Sequence, residues 1–460
     1  MTNTHIDRIS DIVAAQRQFF AEGATLDLRF RIDALKILRD AIKKWERPLA
    51  DALWQDLHKS YEEAYLTELS IVLGEIDNHL RHLRRWAAPE RRRTPLKLFP
   101  SSSRIITEPL GTVLIVAPWN YPVQLLLNPL VGAISAGCTA VLKPSPYTPH
   151  VAQTLEAMLR EVFADSEQYI AVVQGNREVN TALFEERFDL IFLTGSPALG
   201  RIAMNAAAHH LTPVVLELGG KSPCIVDSDA DIALAARRIA WGKCLNAGQT
   251  CIAPDYVLVH RDRKQALVEA LAREFKALLG DDPQQSKHYV RIVNERAFDR
   301  LTGYLEGCNI LCGGRTDRSD RYIEPTVIDG VTPVSAVIKE EIFGPILPIL
   351  TFDATIEAIY YVRMHEKPLA LYYFGSKRRA KEVLRLTSSG GACINDTIMH
   401  IANDNIPFGG VGNSGMSAYH GRDSFLAFSH RRSVVSTPTW IDLPFRYMPY
   451  KWWKVVKRLL

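Results

Sequence analysis

From Gly111 onward the chain alternates short, unbroken β-branched runs with helical stretches, and this alternation constrains the fold more than any other feature. The runs are GTVLIVAP (111–118), TAVLKPSP (139–146), IAVVQG (170–175) and FDLIFLTGS (188–196). Each has the continuous apolar character of a strand buried on both faces, as parallel sheets require. NPLVGAISAG and HVAQTLEAMLREVF lie between them and carry helical spacing. Strands that alternate with helices predict βαβ units and a parallel sheet. TPVVLELGG (212–220) begins another strand, and a second alternating region runs through YVLVH, RKQALVEALAREFKALLG, EPTVIDGV and ILPILTF. The expected fold class is therefore α/β, with two such units. Ahead of them, residues 8 to 90 read as helices, with apolar positions at helical spacing in RIDALKILRDAIKKWERPLADALWQDL. Arg91, Arg92, Arg93 and Pro95 interrupt that pattern and read as a surface connection.

The length of 460 residues fits two or three domains, taking roughly 100–200 residues for each. The net charge of +4, without a basic run or an aromatic–basic array, predicts no nucleic-acid partner. No stretch of about 18 apolar residues exists to span a membrane. MTNTHIDRISDIV has early acidic residues and no apolar core, so it is not read as a signal peptide. Seven cysteines, an odd number in a large chain, predict reduced thiols and a cytoplasmic location. Cys308 and Cys312 have no second ligand pair nearby, so no metal site is expected.

Four segments carry candidate chemistry. In NAGQTC (246–251), Gly248 and Gln249 supply a turn before Cys251. A nucleophilic cysteine needs an exposed position and a lowered thiol pKa, whereas most lone cysteines are small buried hydrophobes. In LELGGKSP (216–223), Glu217 ends an apolar strand. It is either a salt-bridged strand end or a general base with a raised pKa, placed where α/β sheets put active-site groups. FLTGSPALG (192–200) is a strand, a turn and a helix start, suited either to a pyrophosphate or to a plain βα connection. PWNYP (118–122) follows the first strand, and Asn120 is either an oxyanion donor or a turn residue.

Taken together these segments resemble the aldehyde dehydrogenase superfamily, from about residue 10 to 440. PWNYP, VLKPS, FLTGS, LELGGKSP, NAGQTC, EEIFGP (340–345) and PFGGVGNSG (407–415) stand in the family's order. FGPILPI, NDTIMH and PFGGVGNSGMSAYHG, with the short length, resemble the class 3 branch, which includes fatty and aromatic aldehyde dehydrogenases and is usually dimeric. The resemblance implies a Rossmann-like cofactor domain (1–97 and 108–217), a second α/β catalytic domain (218–396), a small bridging or oligomerisation element (98–107 and 397–440) and a basic amphipathic tail (441–460). It also implies Cys251 as nucleophile, Glu217 as the base that activates water, and Asn120 as oxyanion donor beside the Cys251 backbone N–H. For the cofactor, NAD or NADP, it implies Lys143 at the adenosine ribose, with Trp119, Ser145 and Thr194 in the same site. Gly195, Ser196 and Gly200 fall beside the pyrophosphate, Leu218 and Gly219 after the strand, and Glu341 and Phe343 at the nicotinamide. Relatives that prefer NAD commonly have a glutamate three residues after the lysine; here Pro146 stands there, which removes a charge that would repel a 2′-phosphate.

The implied reaction is oxidation of an aldehyde to its acid through a cysteine thioester, with water as acyl acceptor. A coenzyme A-acylating relative commonly lacks the base matching Glu217. A non-catalytic protein on the same fold would tolerate loss of Cys251, Glu217 or Asn120. A homodimer is expected by the same resemblance. In the tail, helical spacing over 451–460 puts Lys451, Lys454, Lys457 and Arg458 on one side, and Trp452, Trp453, Val455, Val456, Leu459 and Leu460 on the other. Such a face suits either a peripheral membrane contact or packing on the enzyme or its dimer partner.

Overall fold

The structure is a computed structural model that describes residues 4–163 and 167–459. Helices fill most of the first 86 residues, beginning with Asp7–Ala21, Leu28–Lys44 and Glu46–Leu57. The long helix after them is interrupted near its start by a π-helical turn, Tyr65–Leu69, before it continues as Ser70–Trp86. A π-turn rotates the side chains that follow it, and here it carries Glu68 into the core, fully buried.

Two large sheets follow. Thr112–Val116, Thr139–Lys143, Ile170–Val172, Leu190–Thr194 and Val214–Glu217 are parallel, and the short strand Gly415–Met416 joins their edge antiparallel to Val214–Glu217. The apolar runs read from the sequence are these strands, trimmed at one or both ends, and almost every residue in them is buried. The second sheet has seven strands; Tyr256–His260 sits near its centre between Pro223–Val226 and Ile346–Phe352. Helices Ile232–Cys244 and Lys264–Leu279 pack together beside it.

The arginine-rich segment differs from its expected role as a plain connection. Glu90–Arg92 is a strand, antiparallel to Ser102–Pro109, which in turn pairs with Ser429–Ser436 in a three-stranded sheet. It is a solvated edge strand, so it has no alternating apolar face for the sequence to reveal, and charge is what edges commonly carry. Gly415–Met416 likewise returns to the first sheet from within 397–440, a segment read as wholly bridging. The tail helix spans Trp453–Leu459, so Lys451 and Trp452 precede it. The side chains of Val456 and Leu459, and all of Leu460, lie outside the described residues.

Candidate active site

Parallel sheets place ligands at the carboxyl ends of their strands, and the candidate residues gather there. Thr112–Val116 leads to Trp119 and Asn120; Thr139–Lys143 ends on Lys143, with Ser145 beyond. Leu190–Thr194 ends on Thr194, ahead of Gly195 and Ser196, and Val214–Glu217 ends on Glu217, ahead of Leu218 and Gly219. Ser196 caps the helix Pro197–Ala208, its side chain accepting from the Leu199 N–H at 3.3 Å.

Cys251 is held by a tightly specified loop. Asn246, Ala247 and Gly248 have φ of 52°, 51° and 70° in succession. A Cβ at Gly248 would lie 2.3 Å from the Gly344 carbonyl oxygen, so only glycine fits. Two non-glycine residues in the left-handed region persist only when their surroundings fix them. The Asn246 N–H donates to Glu63 Oε1 at 2.8 Å, and Asn246 Nδ2 donates to the carbonyls of Asn120 at 2.9 Å and Gln249 at 3.1 Å. Buried Gln249 donates to the Asn246 and Arg291 carbonyls, each at 3.1 Å, and accepts from the Val293 N–H at 3.0 Å.

Asn120 is fixed from both sides. Its Nδ2 donates to the Gln249 carbonyl at 2.9 Å. Its carbonyl accepts from Lys59 Nζ at 3.0 Å, and Lys59 forms a fully buried ion pair with Glu68 at 2.6 Å. Glu68 also accepts from the N–H groups of Val123 at 2.8 Å and Gln124 at 3.3 Å. The sequence reading missed Lys59, Glu68 and the role of Gln249.

Glu341 and Phe343 sit on a loop tied down by another missed residue. Asp255 accepts from the Ile342 N–H at 2.9 Å and pairs with Lys221, which also donates to the Val337 and Glu340 carbonyls, each at 2.9 Å. Glu341 lies directly on Gly219, where a Cβ would come within 2.2 Å of its carboxylate. The Phe343 and Trp119 rings meet edge-on, with centroids 5.4 Å apart.

Two cavities converge on this constellation. One, of about 790 Å³, is lined by Trp119, Asn120, Lys143, Ser145, Thr194, Gly195, Ser196, Glu217, Leu218, Gly219, Cys251, Glu341 and Phe343. Gly200 alone among the expected residues does not line it. It is buried one turn into its helix, where a Cβ would meet the Leu218 side chain at 3.0 Å. The other cavity, of about 650 Å³, is mainly apolar, with Leu66, Ile71, Trp241, Leu245, Ile398 and Met399 in its wall. Cys251, Glu217 and Thr194 line both.

The electrostatics follow from burial. Glu217 is buried with no partner for either oxygen among the described residues, and burial pushes its carboxyl well above the usual range. Glu341 is pushed up to about 8, chiefly by burial and then by Asp255. Lys143 is lowered to about 8 by burial. The sequence expects a lowered thiol pKa at Cys251. Instead burial raises it, and the carboxylates of Glu341 and Glu217 add to the effect. In the protein alone, therefore, Cys251 rests as a thiol beside a carboxyl poised to be a strong base when it ionises.

The larger cavity suits a dinucleotide. Thr194 Oγ1, Asn180 Oδ1 and Glu341 Oε1 are buried there without partners among the described residues, and such groups normally find one. Lys143 spends one donor on the Pro144 carbonyl at 3.0 Å and has two to offer.

A thiol and a buried carboxyl thus stand where a dinucleotide-sized cleft and an apolar cavity meet. The chain belongs to the aldehyde dehydrogenase family, whose family model it matches over residues 2–434. It is 47% identical over 438 residues to the 4,4'-diaponeurosporen-aldehyde dehydrogenase of Staphylococcus aureus, covering 95% of each chain. It is 44% identical over 451 residues to the dimeric NADP-preferring aldehyde dehydrogenase of Canis lupus familiaris, covering 96% of this chain and 98% of that one. Aldehyde dehydrogenase family 3 member B1 of Homo sapiens is 46% identical over 431 residues, with 94% and 92% covered. Among solved structures, a substrate-bound Staphylococcus aureus AldH superposes with a TM-score of 0.96 at 45% identity, covering 98% of this chain and 99% of that one. The chain is thus an aldehyde dehydrogenase of a class 3-like branch, which oxidises an aldehyde to the acid with NAD or NADP as acceptor.

Proposed function

We propose that Cys251 is the nucleophile, Glu217 the general base and Asn120 an oxyanion donor, and that the substrate is a long apolar aldehyde. The observation that carries this reading is the meeting of the two cavities at Cys251 and Glu217. The Cys251 thiol gives up its proton to solvent, and the thiolate Sγ bonds to the aldehyde carbon. The second Nδ2 hydrogen of Asn120, with the Cys251 backbone N–H, stabilises the oxyanion. A nicotinamide cofactor held in the larger cleft would supply the hydride acceptor, and loss of the hydride leaves Cys251 as a thioester. Glu217 then removes a proton from water, which attacks the thioester carbon; the carbon–sulfur bond breaks to free the acid, and Glu217 returns its proton to the departing sulfur to restore the thiol. Splitting the reaction at a covalent intermediate replaces one high barrier with two lower ones.

Lys143, Ser145 and Ser196 would hold the adenosine and phosphate portions, and Trp119, Glu341 and Phe343 the nicotinamide portion. Thr194, Gly195, Leu218 and Gly219 form the floor between them, and Gly200 acts indirectly by letting its helix pack against Leu218. Each buried methylene contributes about 0.8 kcal/mol, or about fourfold in affinity. On a series of straight-chain aldehydes, kcat/KM should therefore climb steeply with length until the apolar cavity is filled. A flat profile would refute the substrate assignment.

The proposed units are 1–97 with 108–217, 218–396, 98–107 with 397–440, and the tail 441–460. A homodimer is favoured by two open sheet edges, Ser429–Ser436 and Gly391–Ile394, where a second copy can add strands. A cytoplasmic enzyme with peripheral membrane contact is favoured by the tail. Trp440, Trp452 and Trp453 are 74%, 49% and 57% exposed, and Lys451, Lys454, Lys457 and Arg458 are exposed beside them. No helix among the described residues is long and apolar enough to cross a membrane. Flotation with anionic liposomes, comparing the full chain with one ending at Pro449, tests this. Equal flotation would overturn it, and loss of the dimer on truncation would assign the tail to the partner instead.

A further inference from the structure

The larger cavity has an asymmetry of charge. Among the described residues two carboxylates line it, Glu217 and Glu341, both at the Cys251 end, where Arg300 also lies with its guanidinium donating to the Glu341 and Ile342 carbonyls. The opposite end is lined by Lys143, Ser145, Pro146, Arg177 and Asn180. The topology brings these together. Thr139–Lys143 and Ile170–Val172 are adjacent parallel strands, with Leu142 in register with Val172. The segments leaving their carboxyl ends, one with Lys143 and Pro146 and the other with Arg177, therefore run side by side at the sheet's edge.

Arg177 opens the helix Arg177–Glu185, whose N-cap is Asn176. It is exposed, lines the cavity, and forms no ion pair among the described residues. With no ion pair among the described residues, the Arg177 guanidinium has donors free to meet an anion at the cleft. Guanidinium is suited to phosphate because its planar fork matches the oxyanion. Nearby, Lys143 is lowered to about 8 by burial, with no carboxylate to offset it. The Pro146 side chain carries no negative charge to oppose an anion there.

We propose that Arg177, acting with Lys143, is a specificity-determining residue that binds the 2′-phosphate of NADP. This rests on the reading of the cleft as the dinucleotide site. The sequence reading did not single out Arg177, because one arginine after a short strand looks like any solvated helix start.

The test is calorimetric titration of the full chain with adenosine 2′,5′-bisphosphate and adenosine 5′-monophosphate, which differ by the phosphate in question. Arg177→Ala should weaken the bisphosphate about tenfold, the size of one charge-assisted contact, and the monophosphate by less than about twofold. Arg177→Lys should fall between wild type and Arg177→Ala. Because Arg177 is exposed and unpaired, these variants should fold normally. Equal weakening of both ligands, or of neither, would overturn the assignment of Arg177 while leaving the cleft reading intact. A wild-type protein that binds neither nucleotide would instead overturn the cleft reading, and the assignment with it.

Discussion

Asn120 donates its side-chain N–H to the carbonyl of Gln249 at 2.9 Å, which locks the candidate oxyanion donor to the loop that carries Cys251. Asn120 follows the strand Thr112–Val116 and Gln249 follows the helix Ile232–Cys244, so this bond joins two separate segments of the site. Asn120→Ala should lower kcat about 10²–10³-fold, the usual cost of one lost oxyanion donor. Cofactor affinity, measured by titration, should change little. A variant with raised KM and unchanged kcat would assign Asn120 to substrate binding alone.

Lys59 and Glu68 support that arrangement from beneath. Removing one partner of a buried ion pair typically costs about 3–5 kcal/mol, because the other charge is left uncompensated. Lys59→Met should therefore lower stability by about that much in urea unfolding. Lys59→Met with Glu68→Gln should recover a good part of the loss but not the rate, since the Asn120 carbonyl still lacks the Lys59 donor and keeps only Asn246. Full recovery of kcat in the double variant would show that the pair has no positioning role.

Glu217 makes stability depend on pH. Its folded-state pKa is raised by burial, so the native state binds its proton more tightly than the unfolded chain does. The stability from that protonated carboxyl is present below the unfolded value, about 4.3, and is lost as pH rises toward the folded value. Glu217→Gln removes this penalty. The Tm of the variant minus that of wild type should grow between about pH 5 and pH 8. A difference independent of pH would mean that Glu217 stays ionised in the folded protein.

Pro146 stands where a ribose-binding glutamate would exclude a 2′-phosphate. Wild type should use NADP appreciably beside NAD, and Pro146→Glu should shift the ratio of kcat/KM values toward NAD. Like-charge juxtaposition at short range costs several kcal/mol, so a shift of tenfold or more is expected from about 1.4 kcal/mol upward. A wild type without measurable NADP activity would contradict this.

Much of this was legible in the chain because the buried parallel strands are written as unbroken apolar runs. The residues at their ends, Lys143, Thr194 and Glu217, stand just before a proline or a turn. The loop at Asn246–Gly248 was legible as a turn through Gly248, but not its three left-handed residues, since neither Asn246 nor Ala247 announces that conformation. Lys59, Glu68 and Asp255 were invisible for a different reason. Isolated charges on helical or loop segments look solvated, and only the tertiary fold buries them against Asn120 and Ile342. The thiol of Cys251 shows the same limit. A motif can suggest a nucleophile, but the direction of its pKa depends on burial and on Glu341, which lies 90 positions further along.

The most direct test traps the covalent intermediate. Glu217→Gln, mixed rapidly with a long-chain aldehyde and the oxidised cofactor, should give a burst of reduced nicotinamide near one per active site, followed by very slow turnover. Mass spectrometry of the quenched protein should find the acyl group on Cys251, and Cys251→Ala should give neither burst nor adduct. A burst with the acyl group on another cysteine, or equal slowing of burst and steady state with no adduct, would contradict the assignment of Cys251 as nucleophile and Glu217 as the base that hydrolyses its thioester.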